Sequence, residues 1–333
     1  MIPSGAHWIR INRFFGDGMM IHCAIEPLRR AGLPLVFWGP EAAVDLFQGS
    51  EGVVATVAEP QRRYSAFQAA RLLRAHRPAS LIAFPKSARP LLAGLLARVP
   101  LRLGCGDGGV SLLCTHSVAF YQRDDPFVER YASVVRRAFP NLGPMGFLPF
   151  RPRDEVFQIR EAQGHASGSR GEYLVLAPGA NSGSKRLSIS LFAAVGHRAE
   201  AAGLQVVILG AGGEDQRLAA QICAELPRAL NLVDRCSLSV SAAWICQARA
   251  LLGMDSGLAH IAGAAGVPTL AVFGPTRPRH SAPRGPRVKV LRKEDLTCLE
   301  CMSFHCPLPD HPCMSALSAD LIWAELFTLM ETP

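Results

Sequence analysis

The stretch Gly253-Met-Asp-Ser-Gly-Leu-Ala-His-Ile-Ala-Gly-Ala-Ala-Gly-Val-Pro-Thr-Leu-Ala-Val-Phe-Gly-Pro-Thr276 decides the fold of this chain. A largely apolar run, 248–252, leads into it and breaks at Gly253, a helix-like segment begins near Asp255, and a second apolar run follows at 269–273. Two such runs joined by a short helix predict two buried parallel strands with a crossover between them. The sequence therefore predicts an α/β protein.

The residues after the first of these strands form a candidate anion site. A helix that begins at the carboxyl end of a parallel strand leaves its first backbone N–H groups unpaired above the sheet. Asp255 or Ser256 is suited to cap those groups, and Gly257 permits close approach of a ligand. His260 lies one turn after Ser256 on the same face. Spacing alone leaves two interpretations open: a diphosphate site, or an ordinary crossover with a capping Asp255 and a half-buried His260.

Length and composition bound the class of protein. A chain of 333 residues that is 49% hydrophobic suits two domains of ordinary size. Neither a signal peptide nor an apolar run of membrane-spanning length is evident, which predicts a cytoplasmic protein with reduced cysteines. A net charge of +8 favours acidic partners. Nucleic acid is disfavoured, because basic runs are short and aromatic residues make up only 7%.

The first strand and the turn that follows it contain a candidate catalytic carboxylate. Residues 8–11 are predicted as a strand, and Phe14-Phe-Gly-Asp-Gly18 leads into a helix that Pro27 should kink or shorten. Gly16 and Asp17 therefore lie where the first βα loop opens onto the crevice above the sheet. Asp17 is either the helix N-cap or a carboxylate that faces this crevice.

Basic residues in two loops are candidates for binding an anionic acceptor. Lys86, Ser87 and Arg89 follow a predicted strand, 80–84, and a paired Arg62 and Arg63 precedes it. Loops at the carboxyl end of a sheet commonly carry binding residues. The alternative is that these side chains are only solvated.

The second half of the chain repeats the α/β pattern after a proline-rich boundary. We predict an N-terminal domain at 1–150, a linker at 151–170, a C-terminal domain at 171–316 and a final helix at 317–333. A small-residue loop that includes Ala180 and Asn181 follows the first strand and ends at Lys185, one of four lysines in the chain. Such a loop can wrap its backbone around phosphate, although it lacks the Walker spacing.

The glycine-rich segment 210–215 does not match a dinucleotide fingerprint. Asp215 stands where the third glycine would be, which disfavours a Rossmann dehydrogenase, while Glu214 remains a candidate ribose ligand. Further along, four cysteines lie within sixteen residues. They are Cys298, Cys301, Cys306 and Cys313. The first pair has metal-ligand spacing and the later gaps do not, so both a structural metal and free thiols stay open.

These motifs resemble glycosyltransferase family 9, the bacterial lipopolysaccharide heptosyltransferases, and most closely the heptosyltransferase II branch. The block Asp255–His260 is similar to the family's D-[ST]-G-x-x-H, and Pro268–Thr276 to its P-x-x-x-x-[FY]-G-P-[ST]. Residues 178–186 resemble its P-G-A-x-x-x-x-K-R segment, and Gly16-Asp17 its Gly-Asp pair.

The resemblance implies the GT-B fold, in which two doubly wound Rossmann-like domains face each other across a cleft. It implies an inverting transfer of heptose from ADP-heptose to an anionic inner-core glycolipid at the inner face of the inner membrane. Asp17 would be the base, Lys185 would contact the donor phosphates, and catalysis would need no metal. A structural zinc or iron would sit at the C-terminal cysteines. A sugar-nucleotide epimerase and a noncatalytic sugar-nucleotide-binding protein remain alternatives.

Overall fold

The protein consists of two compact units, Met1–Asp154 and Glu155–Pro333. The computed structural model describes residues 2–60, 64–86, 88–106, 108–119, 125–162 and 172–332, without the side chains of 85, 86 and 160–162. The division between the units lies inside the predicted linker, 151–170, and part of that segment is helical.

The N-terminal unit is an α/β structure around one parallel sheet. Its strands are β1 (His7–Arg10), β2 (Leu35–Gly39), β3 (Val53–Ala58), β4 (Ser80–Lys86), β5 (Leu101–Cys105) and β6 (His116–Val118). Its helices are α1 (Phe15–Ala24), α2 (Glu26–Arg30), α3 (Glu41–Asp45), α4 (Ala66–His76), α5 (Ala88–Leu96) and α6 (Phe127–Ala138), with a 3₁₀ turn at Gly108–Leu113.

The strand order in this sheet is β3-β2-β1-β4-β5-β6, which is the doubly wound Rossmann order. β1 and β2 are buried along their whole length because helices cover the sheet on both faces. Trp8 and Trp38 pack edge to face in the core on one face, with ring centroids 6.2 Å apart. The order reverses between β1 and β4, and a crevice for ligands is expected above the carboxyl ends of these two strands.

The C-terminal unit repeats this architecture. Its strands are β7 (Tyr173–Ala177), β8 (Gln205–Ile208), β9 (Leu230–Asn231), β10 (Ala250–Met254), β11 (Thr269–Val272) and β12 (Val288–Leu291). Its helices are α7 (Asp154–Ala162), which begins at the last residue of the first unit, α8 (Ile189–Ala201), α9 (Gly213–Glu225), α10 (Leu238–Cys246), α11 (Gly257–Ala264), α12 (Pro278–Ser281), α13 (Pro312–Ser315) and α14 (Ala319–Glu331).

The second sheet has the order β12-β11-β10-β7-β8-β9. Read from β9, this is again the doubly wound order, so the switch point lies between β7 and β10. β7, β10 and β11 are fully buried, which explains why their sequences are continuous apolar runs. The predicted α/β class with two doubly wound units is confirmed.

Several predicted boundaries move when the tertiary structure is taken into account. β4 continues through Lys86, so this residue ends a strand instead of lying in a loop. The pairing of β4 with β5 shifts register between Ala83 and Lys86, which accommodates Pro85 and its missing N–H. β10 ends at Met254, one residue beyond the predicted break. The prediction for Pro27 is confirmed, because α1 ends at Ala24 and α2 carries Pro27 in its first turn.

None of the helices in the described part of the chain combines the length and the apolar character that a membrane span requires.

Candidate active site

The loop after β7 brings Lys185 to the switch point of the second sheet. This loop closes with a 3₁₀ turn, Gly183–Lys185, in which the Lys185 N–H donates to the carbonyl of Ser182 at 3.2 Å. Ser188 then caps α8 by accepting from the Leu191 N–H at 3.3 Å. The predicted small-residue loop is thus a compact turn between a buried strand and a capped helix.

The loop after β10 brings Asp255, Ser256 and His260 to the same switch point. α11 begins at Gly257, and Ser256 holds the N-cap position with an extended backbone. The expectation that Asp255 or Ser256 caps the helix is wrong, because no described side chain makes a capping hydrogen bond there. The buried Ser256 hydroxyl has no hydrogen-bond partner among the described residues. The hydroxyl is therefore available to a ligand at the start of α11.

Asp255 has a different role, since it pairs with Lys185. Its Oδ2 atom lies 2.6 Å from Lys185 Nζ, and the two side chains are only 9% and 20% exposed. The residues are 70 positions apart in sequence, and the adjacent strands β7 and β10 bring their loops together. The two motifs that the sequence singled out therefore form one site in the folded unit.

His260 completes this site as a neutral side chain. It is 5% exposed, and its pKa falls to about 4. Burial is the largest cause, the charge of Asp255 opposes it, and the charge of Lys185 lowers the pKa further. At neutral pH an uncharged imidazole therefore lies beside the ion pair of Lys185 with Asp255.

Glu214 lies at the start of α9 and is held by two arginines. Its Oε1 atom is 2.6 Å from Arg186 Nη1 and 2.8 Å from Arg217 Nη2. Arg186 also donates to the carbonyl of Ala180 at 2.9 Å and so ties α9 to the loop after β7. Asn181, in the same loop, is exposed. The assignment of Glu214, Ala180 and Asn181 to donor binding stays a prediction.

The neighbourhood of Asp215 explains why this position is not a glycine. Its Oδ2 accepts from the Ala211 N–H at 3.0 Å, so the carboxylate closes the loop after β8. A Cβ atom on Gly179 or Gly210 would lie 2.3 or 2.7 Å from this carboxylate, so both glycines are needed. The prediction against a dehydrogenase therefore still rests on Asp215 in place of the third glycine, which a dinucleotide fold uses for close packing of helix and strand.

Asp17 lies in the first turn of α1, above the switch point of the first sheet. Phe14 is the N-cap residue, so the interpretation of Asp17 as an N-cap is wrong. Asn12 Nδ2 donates to Asp17 Oδ2 at 2.8 Å, and Asn12 Oδ1 accepts from the Phe14 N–H at 2.7 Å. Burial raises the pKa of Asp17, and the bond from Asn12 opposes that shift. Asn12 therefore orients a carboxylate that is more basic than usual.

Tyr131 on α6 is close enough to Asp17 for their charges to interact. The pKa of Tyr131 is raised well above its usual value, first by burial and then by the charge of Asp17. Its hydroxyl has no hydrogen-bond partner among the described residues, and its ring stacks on Phe84 at 4.5 Å. The sequence pointed only to a structural helix here, because the contact with Asp17 is tertiary.

The predicted acceptor residues are described only in part. Arg62, Arg63 and Ser87 lie outside the described residues, as does the side chain of Lys86. Arg89 is half exposed, donates to the Tyr64 carbonyl at 3.0 Å and lies 3.6 Å from Glu59.

Glu59 also pairs with a buried arginine that the sequence did not single out. Arg10, at the end of β1, lies 2.8 Å from Glu59, and its guanidinium stacks over Trp38 at 5.4 Å. Glu59 therefore contacts two guanidinium groups at the carboxyl edge of the first sheet. The acceptor assignments stay predictions.

The four C-terminal cysteines form no disulfide, and Cys313 lies close enough to the other three for their charges to interact. The pKa of Cys313 rises to about 11, mainly through burial and also through the charges of Cys306, Cys298 and Cys301. In the described ranges, no three His, Cys, Asp or Glu side chains are arranged to hold a metal ion. The metal stays a prediction.

With this geometry in hand, similarity to known proteins identifies the family. The sequence model described as glycosyltransferase family 9 (heptosyltransferase) matches residues 95–311. The chain belongs to glycosyltransferase family 9. The matched region contains the Lys185 loop and the Asp255–His260 block.

Individual members of family 9 show how far the likeness extends. Lipooligosaccharide heptosyltransferase 2 of Campylobacter jejuni subsp. jejuni serotype O:6 is 32% identical over 158 residues, 46% of this chain and 50% of that protein. The chain spans about half the length of the curated relatives it matches.

Solved structures extend the likeness over the whole fold. E. coli ADP-heptose LPS heptosyltransferase II has a TM-score of 0.80 at 20% identity and 98% coverage of both chains. A family 9 glycosyl transferase from Veillonella parvula has a TM-score of 0.81 at 16% identity, with 99% of this chain and 98% of that one covered. The GT-B fold class is thereby confirmed.

Proposed function

We propose that this protein is an inverting glycosyltransferase that moves a heptose from ADP-heptose to an inner-core sugar of lipopolysaccharide. Membership of family 9 supports glycosyl transfer. The Campylobacter relative is named a lipooligosaccharide heptosyltransferase, and the E. coli protein of similar fold is named an ADP-heptose LPS heptosyltransferase. These names support both the donor and the class of acceptor.

The observation that carries the proposal is the ion pair of Lys185 with Asp255 beside a neutral His260. Doubly wound sheets bind ligands at the switch point, and this pair lies there. An ammonium group has three donors, of which Asp255 takes one, so two remain for phosphate oxygens. The unpartnered hydroxyl of Ser256 and the first N–H groups of α11 add further donors.

These groups match the chemistry of a departing nucleoside diphosphate. Negative charge grows on the diphosphate as the bond to the sugar breaks, and fixed donors that face it lower the barrier. Lys185 supplies the positive charge. His260 remains uncharged at neutral pH, so it serves as a hydrogen-bonding group and not as a second cation.

Asp17 is the group that we assign to the acceptor. Burial raises its pKa, and a more basic carboxylate is a better general base at neutral pH. Asn12 holds Oδ2 of Asp17 by a hydrogen bond. We propose that Oδ1 accepts the proton of the acceptor hydroxyl. The freed oxygen attacks the anomeric carbon on the side opposite the diphosphate, so the configuration inverts.

The place and the partners follow from this reaction. We place the protein in the cytoplasm, where it meets an anionic glycolipid at the inner face of the inner membrane. The transfer needs no metal, because Lys185 and the N-terminus of α11 stabilise the negative charge of the leaving group. We propose that the C-terminal cysteines bind a zinc or iron ion and that this ion has a structural role only.

A panel of nucleotide sugars with and without core glycolipid tests the proposal. We expect ADP release from ADP-heptose only when the glycolipid is present, and a matched lipid without inner-core sugars serves as the control. Release that is independent of glycolipid would indicate an epimerase-like enzyme. Binding of nucleotide sugar without any release would indicate a noncatalytic protein.

A further inference from the structure

The cysteine-rich segment 302–315 packs onto the two loops that follow β7 and β11. His311 Nε2 lies 2.8 Å from the carbonyl oxygen of Ser184, the residue before Lys185. A carbonyl oxygen only accepts, so His311 must donate, and its proton is on Nε2. The Ser184 hydroxyl donates in turn to the carbonyl of Ser303 at 2.7 Å. Two bonds from one segment thus fix a single residue of the Lys185 loop.

The same segment holds the loop after β11. The Met302 N–H donates to the carbonyl of Pro275 at 2.8 Å. A Cβ atom on Gly274 would lie 2.6 Å from Met314 Sδ and 2.9 Å from Cys313 Sγ, so this contact is close. Cys313 and Met314 are buried in the core of the unit, which anchors the segment.

An open pocket lies between the Lys185 loop and segment 302–315. Its volume is about 460 Å³, with Gly183, Arg186 and Leu187 on the loop side and His311, Met314 and Ser315 on the other. The bond from His311 to Ser184 joins the two sides. Without this bond, the described hydrogen bond that still joins Ser184 to the segment is the one from its hydroxyl to the Ser303 carbonyl.

We propose that His311 is a positioning residue of the donor site: it holds the Ser184 carbonyl, and thereby the backbone of Lys185, in the conformation that directs the ammonium group to the donor diphosphate. The ion pair of Lys185 with Asp255 depends on this conformation, because the peptide between Ser184 and Lys185 carries the braced carbonyl. The function of the brace rests on the proposed binding of a nucleoside diphosphate at Lys185.

The backbone of His311 allows a sharp experiment. Its φ of 44° lies in the left-handed region, which asparagine tolerates better than glutamine does. The amide nitrogen of glutamine, in contrast, reaches about as far as histidine Nε2, whereas that of asparagine does not. If His311 matters only for its backbone conformation, His311→Asn should behave more like wild type. If it matters because it holds the Ser184 carbonyl, His311→Gln should behave more like wild type.

Two readouts of full-length His311→Gln, His311→Asn and His311→Ala separate these roles. Without nucleotide, hydrogen exchange in a peptide that covers 182–187 should rise in the Asn and Ala variants and stay near wild type in Gln, while β7 keeps its protection. ADP, titrated by calorimetry, should bind about 2- to 10-fold more weakly to the Asn and Ala variants. With donor substrate, kcat/KM should fall by at least the same factor, because Lys185 also faces the charge that grows on the departing diphosphate. His305→Ala, an exposed histidine of the same segment, is the control.

Several results would overturn the brace. They are unchanged exchange in His311→Ala, ADP binding by His311→Asn equal to wild type, and ADP binding by His311→Gln as weak as that of Ala. If the His311 variants do not fold, the imidazole ¹⁵N spectrum of wild type still tests the brace, because the bond to the Ser184 carbonyl requires the proton on Nε2, and a proton on Nδ1 alone would reject it. Failure of wild type to bind ADP would reject the proposed function instead, and the exchange readout would still decide the brace.

Discussion

The two sheets share one strand order, yet their switch points contain different chemistry. Above the second sheet, Lys185 and Asp255 form a partly buried ion pair next to a neutral His260. Above the first sheet, Asp17 is held by the amide of Asn12 and has a raised pKa. Burial favours the neutral form of both His260 and Asp17. The comparison teaches that one topology carries two different sets of groups, to which we assign the binding of an anion and the removal of a proton.

The largest expected effect concerns the carboxylate above the first sheet. Asp17→Asn keeps the shape of the side chain but cannot accept a proton, so turnover should fall about 10²- to 10⁴-fold at saturating donor. This corresponds to roughly 3–5 kcal/mol of barrier. Initial rates of ADP release provide the measurement. Asp154→Asn, an exposed aspartate of the same unit, is the control, and near-normal turnover of Asp17→Asn would refute the base assignment.

The next effect concerns His260 and the pH dependence of stability. Its folded pKa, about 4, lies below the usual histidine value of 6.5, so the unfolded chain binds more protons between these values. The stability from neutral His260 is therefore present above pH 6.5 and is lost as the pH falls toward 4. It amounts to about 3 kcal/mol.

Denaturant unfolding at several pH values measures this loss. His260→Gln should flatten the pH dependence. His22, buried in the first unit, also has a lowered pKa and contributes in the same direction, so His22→Gln is the matched variant. The raised pKa of Asp17 acts in the opposite direction. An unchanged slope in His260→Gln would show that the pKa of His260 is the same in the folded and unfolded states, which would contradict its lowered value.

Nucleotide specificity tests the donor side of the comparison. ADP-heptose or ADP should raise the melting temperature more than UDP or GDP, because a ligand that binds only the native state stabilises it by about 2.7 kcal/mol at 100 times its Kd. Thermal shift assays at equal concentrations give the measurement. Equal shifts with all three nucleotides, or none, would count against an ADP donor.

The smallest effect on turnover is expected at the C-terminal cysteines. Elemental analysis of untagged protein should find near-stoichiometric zinc or iron, and a double variant, Cys298→Ser with Cys301→Ser, should lose it. Because the metal is assigned to structure, kcat of the folded double variant should match wild type. Wild-type protein that is free of metal, stable and fully active would reject the metal site.

The sequence predicted local features and missed the contacts between loops. Continuous apolar runs identified buried strands such as β7 and β10, and loop motifs at their ends located Lys185 and Asp255. That Asp255 pairs with Lys185 and does not cap α11 was not predictable, because the two loops meet only through the pairing of their strands. The roles of Asn12 and Tyr131 near Asp17 were missed for the same reason. The family motifs themselves came from resemblance, since spacing alone left both interpretations open.

The central claim is that the second unit holds the donor diphosphate and the first unit supplies the base. Calorimetric titration of ADP into Lys185→Met and Asp17→Asn tests it directly. Lys185→Met removes a charged donor, so binding should weaken by about 10- to 100-fold, whereas Asp17→Asn should bind ADP as wild type does. Lys289→Met, which breaks a surface ion pair with Glu325, is the control. Equal weakening in Lys185→Met and Asp17→Asn, or none in Lys185→Met, would contradict the division of tasks.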